Sequence, residues 1–167
     1  MASKTLVPVE AYLKMSFDGP EPEYLDGEIK ERYLGSTPHF EAQERMLEFF
    51  RSLKQSYSIL AYPEVTLRIS PSRYRIADVA AFGTKPREKF PSAPPHVTVE
   101  IVSEDDRYVD IKEKLAEYHA WGVKHVWLVD PWSRELLVYD DAGLHEVPAF
   151  ELPEYGVKLS AAELFTD

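Results

Sequence analysis

Two carboxylates stand in the middle of apolar segments, where they could hold a metal ion. Asp78 lies within residues 74–82 and Glu100 within residues 97–103, and both segments are short and mostly apolar, with Val and Ile in each. This composition predicts strands. A strand interior disfavours Asp, and a buried charge needs a partner or a metal to offset its desolvation. We therefore interpret the two acids as candidate ligands of a divalent cation. The alternative is that they lie on a solvated face or pair with an arginine such as Arg75.

Hydrolysis of a phosphodiester also needs a cation that supports the attacking water or the transition state, and Lys114 is the candidate. The apolar stripe of the helix predicted over residues 108–121 is Ile111, Leu115 and Tyr118. At about 100° per residue, Lys114 lies roughly 60° from Ile111, whereas Lys112 lies about 100° away on the other side. Lys114 is thus the site-facing lysine, unless it forms only a surface ion pair with Asp110 four residues earlier.

The elements that must position these residues alternate between helices and strands. The predicted elements are a helix at 7–13, a hairpin at 23–29, a helix from Ser36 or Thr37, strands at 58–62, 65–69, 74–82 and 97–103, a helix at 108–121, a strand at 126–129, a hairpin at 136–147 and a helix at 160–165. The strand–helix–strand unit over residues 97–129 predicts a parallel pair. The fold class is therefore α/β, with a mixed sheet flanked by helices in one domain, 1–167.

Two further segments have predicted roles. The first long helix has an apolar stripe that we assign to the core, Phe40, Leu47, Phe50 and Leu53. His39, at the start of that helix, is interpreted as structural. The loop at residues 83–95 contains four prolines and three basic residues. Because loops beside a site often contact the substrate, we expect Arg87 and Lys89 to contact the substrate there.

The totals exclude several classes of protein. A net charge of −10 over 167 residues argues against a protein that coats nucleic acid by bulk attraction. The absence of cysteine excludes disulfides, thiolate metal sites and cysteine nucleophiles. No apolar run approaches the length of a membrane span, and the segment Met1 to Thr5 lacks the apolar core of a signal peptide. We therefore expect a cytoplasmic protein that does not enter a membrane.

Several motifs occur together in one order along nearly the whole chain. They are Glu23-Tyr24-Leu25-Asp26-Gly27-Glu28, His39, Arg75-Ile76-Ala77-Asp78-Val79-Ala80, Val99-Glu100-Ile101-Val102-Ser103, Asp110, Lys114, Tyr118, Gly122-Val123 and Trp127-Leu128-Val129-Asp130-Pro131. The ordered set resembles the PD-(D/E)XK, restriction-endonuclease-like nuclease superfamily. More narrowly, it resembles the Uma-two group of small bacterial endonucleases.

The resemblance implies a restriction-endonuclease-like fold and a metal-dependent site. Asp78, Glu100 and the backbone carbonyl of Ile101 would bind Mg²⁺ or Mn²⁺, and Lys114 would position or activate water. Two positions depart from the superfamily pattern. Ala77 replaces the proline before the aspartate, and Val102 stands where the superfamily has its lysine. The resemblance implies that in this group the lysine has moved onto the adjacent helix, a role that Lys114 fits.

These observations predict a Mg²⁺-dependent DNA endonuclease that acts as a homodimer. Two alternatives stay open. The first is a nuclease-fold DNA-binding or accessory protein of mobile DNA that does not cleave. The second is an interaction domain in which Asp78 and Glu100 pair with Arg75 and Lys114. Glu64 is a further acid that could lie near the metal.

Overall fold

In a computed structural model, residues 4–167 form a large mixed β-sheet with helices on both faces. Met1 to Ser3 lie outside the described residues. They belong to the segment that was expected to lack the apolar core of a signal peptide. The elements are α1 (Val9–Tyr12), β1 (Glu23–Leu25), β2 (Glu28–Lys30), α2 (Thr37–Tyr57), β3 (Leu60–Ser70), β4 (Arg73–Phe82), β5 (Val97–Ile101), α3 (Tyr108–Trp121), β6 (His125–Asp130), β7 (Glu135–Asp140), β8 (Gly143–Val147), β9 (Ala149–Leu152), β10 (Val157–Ser160) and α4 (Ala161–Leu164).

The sheet confirms the predicted α/β class. Its strands lie in the order β2-β1-β4-β5-β6-β7-β8, and β3 pairs with β4. Only β5 and β6 are parallel, and α3 connects them, as the crossover pattern predicted. The remaining pairs are antiparallel. The predicted N-terminal hairpin is β1–β2, and the predicted C-terminal hairpin is β7–β8.

One edge of β4 lacks a continuous neighbour, and this gap shapes the site. Along one edge β4 pairs with β3 over nearly its whole length. On its other edge it pairs with β1 at residues 73–74 and with β5 at residues 79–81. Residues 75–78 of β4 therefore have no strand beside them on that edge within the described chain. Side chains must satisfy the backbone groups there, because buried polar groups are costly when unpaired.

The strand predictions need one correction upstream of β4. Residues 58–62 and 65–69 were predicted as two strands, but β3 is a single strand of 11 residues. Its middle contains Pro63 and Glu64, and Glu64 has a positive φ of 52°. Proline in the sequence suggested a break, yet the strand continues because Pro63 pairs with Val79 and Val65 with Ala77. Glu64 consequently stands opposite Asp78.

The helices bury one face each. In α2 the buried side chains include Leu47, Phe50 and Leu53, as the stripe predicted, but Phe40 is 50% exposed. Phe40 was therefore wrongly assigned to the core. The helix α3 spans the predicted residues and ends at Gly122, whose φ of 110° suits glycine. None of the helices described here combines the length and apolar character needed to cross a membrane.

A small second sheet at the C-terminal end was not predicted. The strands β9 and β10 form an antiparallel pair joined by a 3₁₀ turn at Pro153–Tyr155. Phe150 of β9 stacks on Trp127 of β6, with ring centroids 4.3 Å apart and the rings nearly parallel. Phe50 of α2 covers Trp127 from a centroid distance of 5.9 Å. The second sheet thus completes the core on the α2 face.

Candidate active site

A cavity of about 960 Å³ opens where the hairpin β1–β2 and the starts of α2 and α3 approach the gap beside β4. All four residues proposed from the sequence line this cavity: Asp78, Glu100, Ile101 and Lys114. They come from the middle of β4, the end of β5 and the first turns of α3. The fold therefore brings together residues that are up to 36 positions apart in the sequence.

Asp78 is buried and held at both carboxylate oxygens. Its Oδ2 accepts a hydrogen bond of 2.7 Å from the backbone N–H of Ile101 and lies 3.4 Å from Nε2 of His39. Its Oδ1 accepts a hydrogen bond of 3.2 Å from the guanidinium of Arg32. Burial alone would raise the pKa of Asp78, but His39, Lys114 and Arg32 outweigh it and hold that pKa below the usual range.

Glu100 is also buried, and it divides its oxygens between two donors. Lys114 lies 3.0 Å from Oε2, and the hydroxyl of Tyr118 donates a bond of 2.9 Å to Oε1. Burial raises the pKa of Glu100, Lys114 opposes this, and the nearby carboxylates of Asp78 and Glu23 raise it further, to about 8. The two donors thus compensate the charge on buried Glu100 only in part.

Lys114 points into the cavity and uses all of its hydrogen-bond donors. Its ammonium lies 2.8 Å from Oε1 of Glu23, 3.0 Å from Oε2 of Glu100 and 2.6 Å from the carbonyl oxygen of Ile76. An ammonium has three N–H donors, so this set is complete. The alternative of a surface ion pair with Asp110 is wrong, because Asp110 lies 3.7 Å from Lys30 instead.

Glu23 fills the gap beside β4 with its carboxylate, although the sequence did not indicate it as a site residue. Its Oε1 accepts a hydrogen bond of 2.9 Å from the N–H of Ile76, and its Oε2 accepts one of 3.0 Å from Arg75. Burial would raise the pKa of Glu23, but Lys114 and Arg75 lower it to about 2. Arg75 also bonds to Glu117. The interaction-domain alternative is therefore wrong for Arg75, whereas the pair of Glu100 with Lys114 that it included is present.

Three more polar side chains meet next to Asp78. Arg32 bonds to Glu64 at 2.5 Å as well as to Asp78. The amide of Gln43 donates to Glu64 and to the backbone carbonyl of Asp78, each at 2.9 Å. Glu64 is therefore a cavity residue, as the sequence allowed, whereas Arg32 and Gln43 were not indicated. They had no local signal, because an Arg after a hairpin and a Gln inside a helix are ordinary surface residues.

His39 is part of the site and not only a structural residue of α2. Its ring is buried beside Asp78, which outweighs the effect of burial and raises the pKa of His39. A Cβ at position 35 would lie 2.8 Å from Nδ1 of this ring, closer than Cβ contacts normally come. Gly35 thus leaves the room that the ring needs to approach Asp78.

The loop at residues 83–95 lies outside the cavity, and its predicted contact with DNA stays a prediction. Within the described chain, none of its residues lines the cavity. Phe90 of the loop packs instead on Tyr74, with ring centroids 5.7 Å apart, and Pro91 accepts a hydrogen bond from Arg68. The cationic residue that lines the cavity from an exposed position is Arg107, directly before α3.

The donor set fits a hard divalent cation. Asp78, Glu100 and the carbonyl of Ile101 offer only oxygen, which Mg²⁺ and Mn²⁺ prefer, and Mg²⁺ sites commonly use one or two carboxylates with several waters. The raised pKa of Glu100 marks a buried carboxylate that a cation would stabilise in its charged form. Arg32 and His39 already contact Asp78, so a cation would have to share that carboxylate with them.

Comparisons with known proteins agree with the fold. A family model described as "Uma2: Putative restriction endonuclease" matches residues 9–165. Among solved structures, the chain is similar to the crystal structure of "a putative nuclease belonging to DUF820" from Anabaena variabilis ATCC 29413. The identity is 21% and the TM-score 0.83, over 96% of this chain and 98% of that one. This likeness confirms the predicted restriction-endonuclease-like fold. No curated protein matches the chain.

Proposed function

Because the chain belongs to the Uma2 family, we propose that it is a divalent-metal-dependent nuclease that hydrolyses phosphodiester bonds of DNA. The observation that carries this proposal is the meeting of Asp78, Glu100 and Lys114 in one cavity. Two acids that can hold a metal ion and a lysine beside them can supply the charge stabilisation that phosphodiester hydrolysis needs. The cytoplasmic location and the homodimer expected from the sequence are part of the same proposal.

The proposed cofactor is Mg²⁺ or Mn²⁺, held by Asp78, Glu100 and the carbonyl of Ile101. When bound, such an ion polarises a phosphate oxygen and lowers the pKa of a water ligand. Arg32 and His39 keep Asp78 ionised and fix its direction. Arg32 is 17% exposed at its side chain, and its planar guanidinium suits a phosphate group that enters the cavity.

Lys114 would assist the attacking water. Its three donors are occupied by Glu23, Glu100 and the carbonyl of Ile76. It can therefore contact water only after it releases one of these partners. Glu100 is also a proposed metal ligand. A metal held there would compete with Lys114 for this carboxylate, and one N–H of Lys114 would then be free to contact water.

A DNA-binding protein without cleavage activity is the second candidate. The observation that favours it is the completeness of the ion-pair network: both oxygens of Asp78 and all donors of Lys114 have protein partners. A buried network of this kind stabilises a fold without any metal as long as every group is satisfied.

The test is cleavage of supercoiled plasmid with Mg²⁺ or Mn²⁺, together with a calorimetric titration of Mn²⁺. Wild type is expected to nick the plasmid. We expect Asp78→Asn, Glu100→Gln and Lys114→Met each to lose about 100-fold or more in rate. Asp78→Asn should also lose Mn²⁺ binding. Glu41→Gln, which changes an exposed glutamate of α2, is the matched control and should keep full activity.

The outcomes separate the candidates. Nicking that survives Glu100→Gln would contradict the assignment of the site. DNA binding without nicking, in a protein that binds no Mn²⁺, would favour the second candidate. Mn²⁺ binding that persists in Asp78→Asn would remove Asp78 from the metal site.

A further inference from the structure

Three potential metal ligands meet outside the cavity: His96, His125 and Glu154. Nε2 of His96 lies 2.5 Å and Nε2 of His125 lies 2.7 Å from the same oxygen of Glu154, Oε1. Within residues 4–167, this is the one group of three or more His, Asp or Glu side chains whose donor atoms all lie within 4.8 Å of one another. None of the three lines the cavity.

The backbone holds the two histidines side by side. His96 directly precedes β5 and His125 begins β6, its parallel neighbour. The N–H of His96 donates to the carbonyl of Ala81 at 2.8 Å, and the N–H of His125 donates to the carbonyl of His96 at 3.1 Å. Glu154 comes from the 3₁₀ turn between β9 and β10. Three separate elements thus bring one donor each to a common point.

We propose that His96, His125 and Glu154 form a binding site for Zn²⁺ or a chemically similar first-row transition ion. Two imidazole nitrogens and one carboxylate oxygen are a donor set that Zn²⁺ accepts, with water in the fourth position. The three side chains are 16–20% exposed, so an ion and its water can reach them. Mg²⁺ prefers oxygen donors, so this site and the cavity select different ions.

The site needs only a small rearrangement to admit the ion. Around a tetrahedral ion with bonds of about 2.0–2.1 Å, two donor atoms lie about 3.3 Å apart. The observed separations of 2.5 and 2.7 Å are those of hydrogen bonds from the rings to the carboxylate. The ammonium of Lys124 lies 3.7 Å from the same oxygen and competes with a cation. Its side chain is 57% exposed and can turn towards solvent.

The position of the site indicates what a bound ion would do. His96 precedes Glu100 by four residues along β5, so their Cα atoms lie about 13 Å apart at the usual rise of a strand. An ion there is too distant to contact a phosphate held at Glu100. The ion would instead link the turn between β9 and β10 to the starts of β5 and β6. Because it binds the folded state, it would raise the thermal stability of the protein.

The test is a calorimetric titration of the full chain with ZnCl₂ in excess MgCl₂, with thermal unfolding followed in parallel. The chain has no cysteine, so no thiolate competes. We expect one Zn²⁺ per chain and a higher melting temperature with Zn²⁺. His96→Gln and His125→Gln should each lower the affinity by more than the ~10- to 100-fold that loss of an outer-sphere partner costs. His119→Gln, which changes a histidine paired with Asp141 at 2.8 Å, is the matched control.

Several results would overturn the proposal. These are no saturable binding at micromolar Zn²⁺, full binding by the double variant His96→Gln/His125→Gln, or loss of binding in Asp78→Asn, which would place the zinc in the cavity. Lys124→Gln tests the site by a gain of affinity, which a variant that fails to fold cannot show. Because it removes the competing cation, it is expected to bind Zn²⁺ more tightly than wild type, and an unchanged or weaker affinity would count against the site.

Discussion

Glu23 sets the charge balance around Lys114, although it lies on the first hairpin and far from the other acids in the sequence. It accepts bonds from Lys114, from Arg75 and from the N–H of Ile76. Without this carboxylate, Lys114 and Arg75 would each lose one anionic partner in a buried setting, and Glu100 and Glu117 would remain as their nearest anionic partners. A buried charge that loses its partner is strongly destabilising.

Glu23→Gln is expected to lower the free energy of unfolding at pH 7 by about 3 kcal/mol, since each unit of pKa shift corresponds to about 1.4 kcal/mol. The pKa of Glu23 is lowered from 4.5 to about 2 in the folded state. Its contribution is therefore complete above pH 4.5 and is lost as the pH falls from 4.5 towards 2. Urea unfolding between pH 2 and 7 measures both effects.

Glu23→Gln should lose less stability than wild type when the pH is lowered. Glu28→Gln, on the partner strand of the same hairpin, changes an exposed carboxylate and should leave the stability nearly unchanged. An unaltered pH dependence in Glu23→Gln would mean that Glu23 does not hold the network together.

The sequence could predict part of the site and not the rest, for a physical reason. Asp78, Glu100 and Lys114 were recognisable because a charge in an apolar strand, or on the edge of an apolar helix stripe, conflicts with its local surroundings. Glu23 and Arg32 create no such local conflict. Their roles arise only when the hairpin β1–β2 packs against the gap beside β4, and no short-range sequence pattern predicts this tertiary contact.

At the scale of elements, the second sheet is the part of the fold that local patterns missed. Strands β9 and β10 have four residues each, and the turn Pro153–Tyr155 interrupts them. Such short segments carry too little periodicity to be distinguished from loop. The long elements α3 and β4 were predicted well because each has a clear apolar pattern and a glycine directly after its end.

Phe150→Ala tests whether the second sheet contributes to the core. Phe150 is fully buried against Trp127, so its removal is expected to cost about 3–5 kcal/mol in the free energy of unfolding. Denaturant unfolding followed by tryptophan fluorescence measures this cost. Phe40→Ala is the control of the same residue type, and because Phe40 is 50% exposed, its cost should stay below about 1 kcal/mol. Equal costs would show that β9 adds little to the core.

At the scale of the whole molecule, the cavity is acidic, and this limits how DNA can approach it. The acidic lining residues are Glu21, Glu23, Glu31, Glu64, Asp78, Glu100, Asp105, Asp106 and Asp110. The basic lining residues are Lys30, Arg32, Arg107 and Lys114. With a net charge of −10 over the chain, the protein repels nucleic acid at long range. Cations in solution would screen this repulsion when DNA approaches.

Arg107→Ala is expected to weaken DNA binding and to reduce the salt dependence of the affinity by about one phosphate contact. Arg107 is exposed and lines the cavity, and its side chain makes no capping bond to α3, so the change should leave the fold intact. Fluorescence anisotropy titrations at several salt concentrations, in the Glu100→Gln background, measure the effect. The double variant Arg87→Ala/Lys89→Ala is the comparison, and a larger loss there would restore the loop at residues 83–95 as the DNA-contacting surface.

The interrupted edge of β4 makes two backbone amides reporters of the cavity. Strand amide protons normally bond to a neighbouring strand and exchange with solvent when that strand separates. The N–H of Ile76 bonds instead to Glu23, and the N–H of Ile101 bonds to Asp78. Their NMR resonances therefore sense the charge on two carboxylates directly. A cation that enters the cavity would shift these two signals while those of β7 and β8 stay in place.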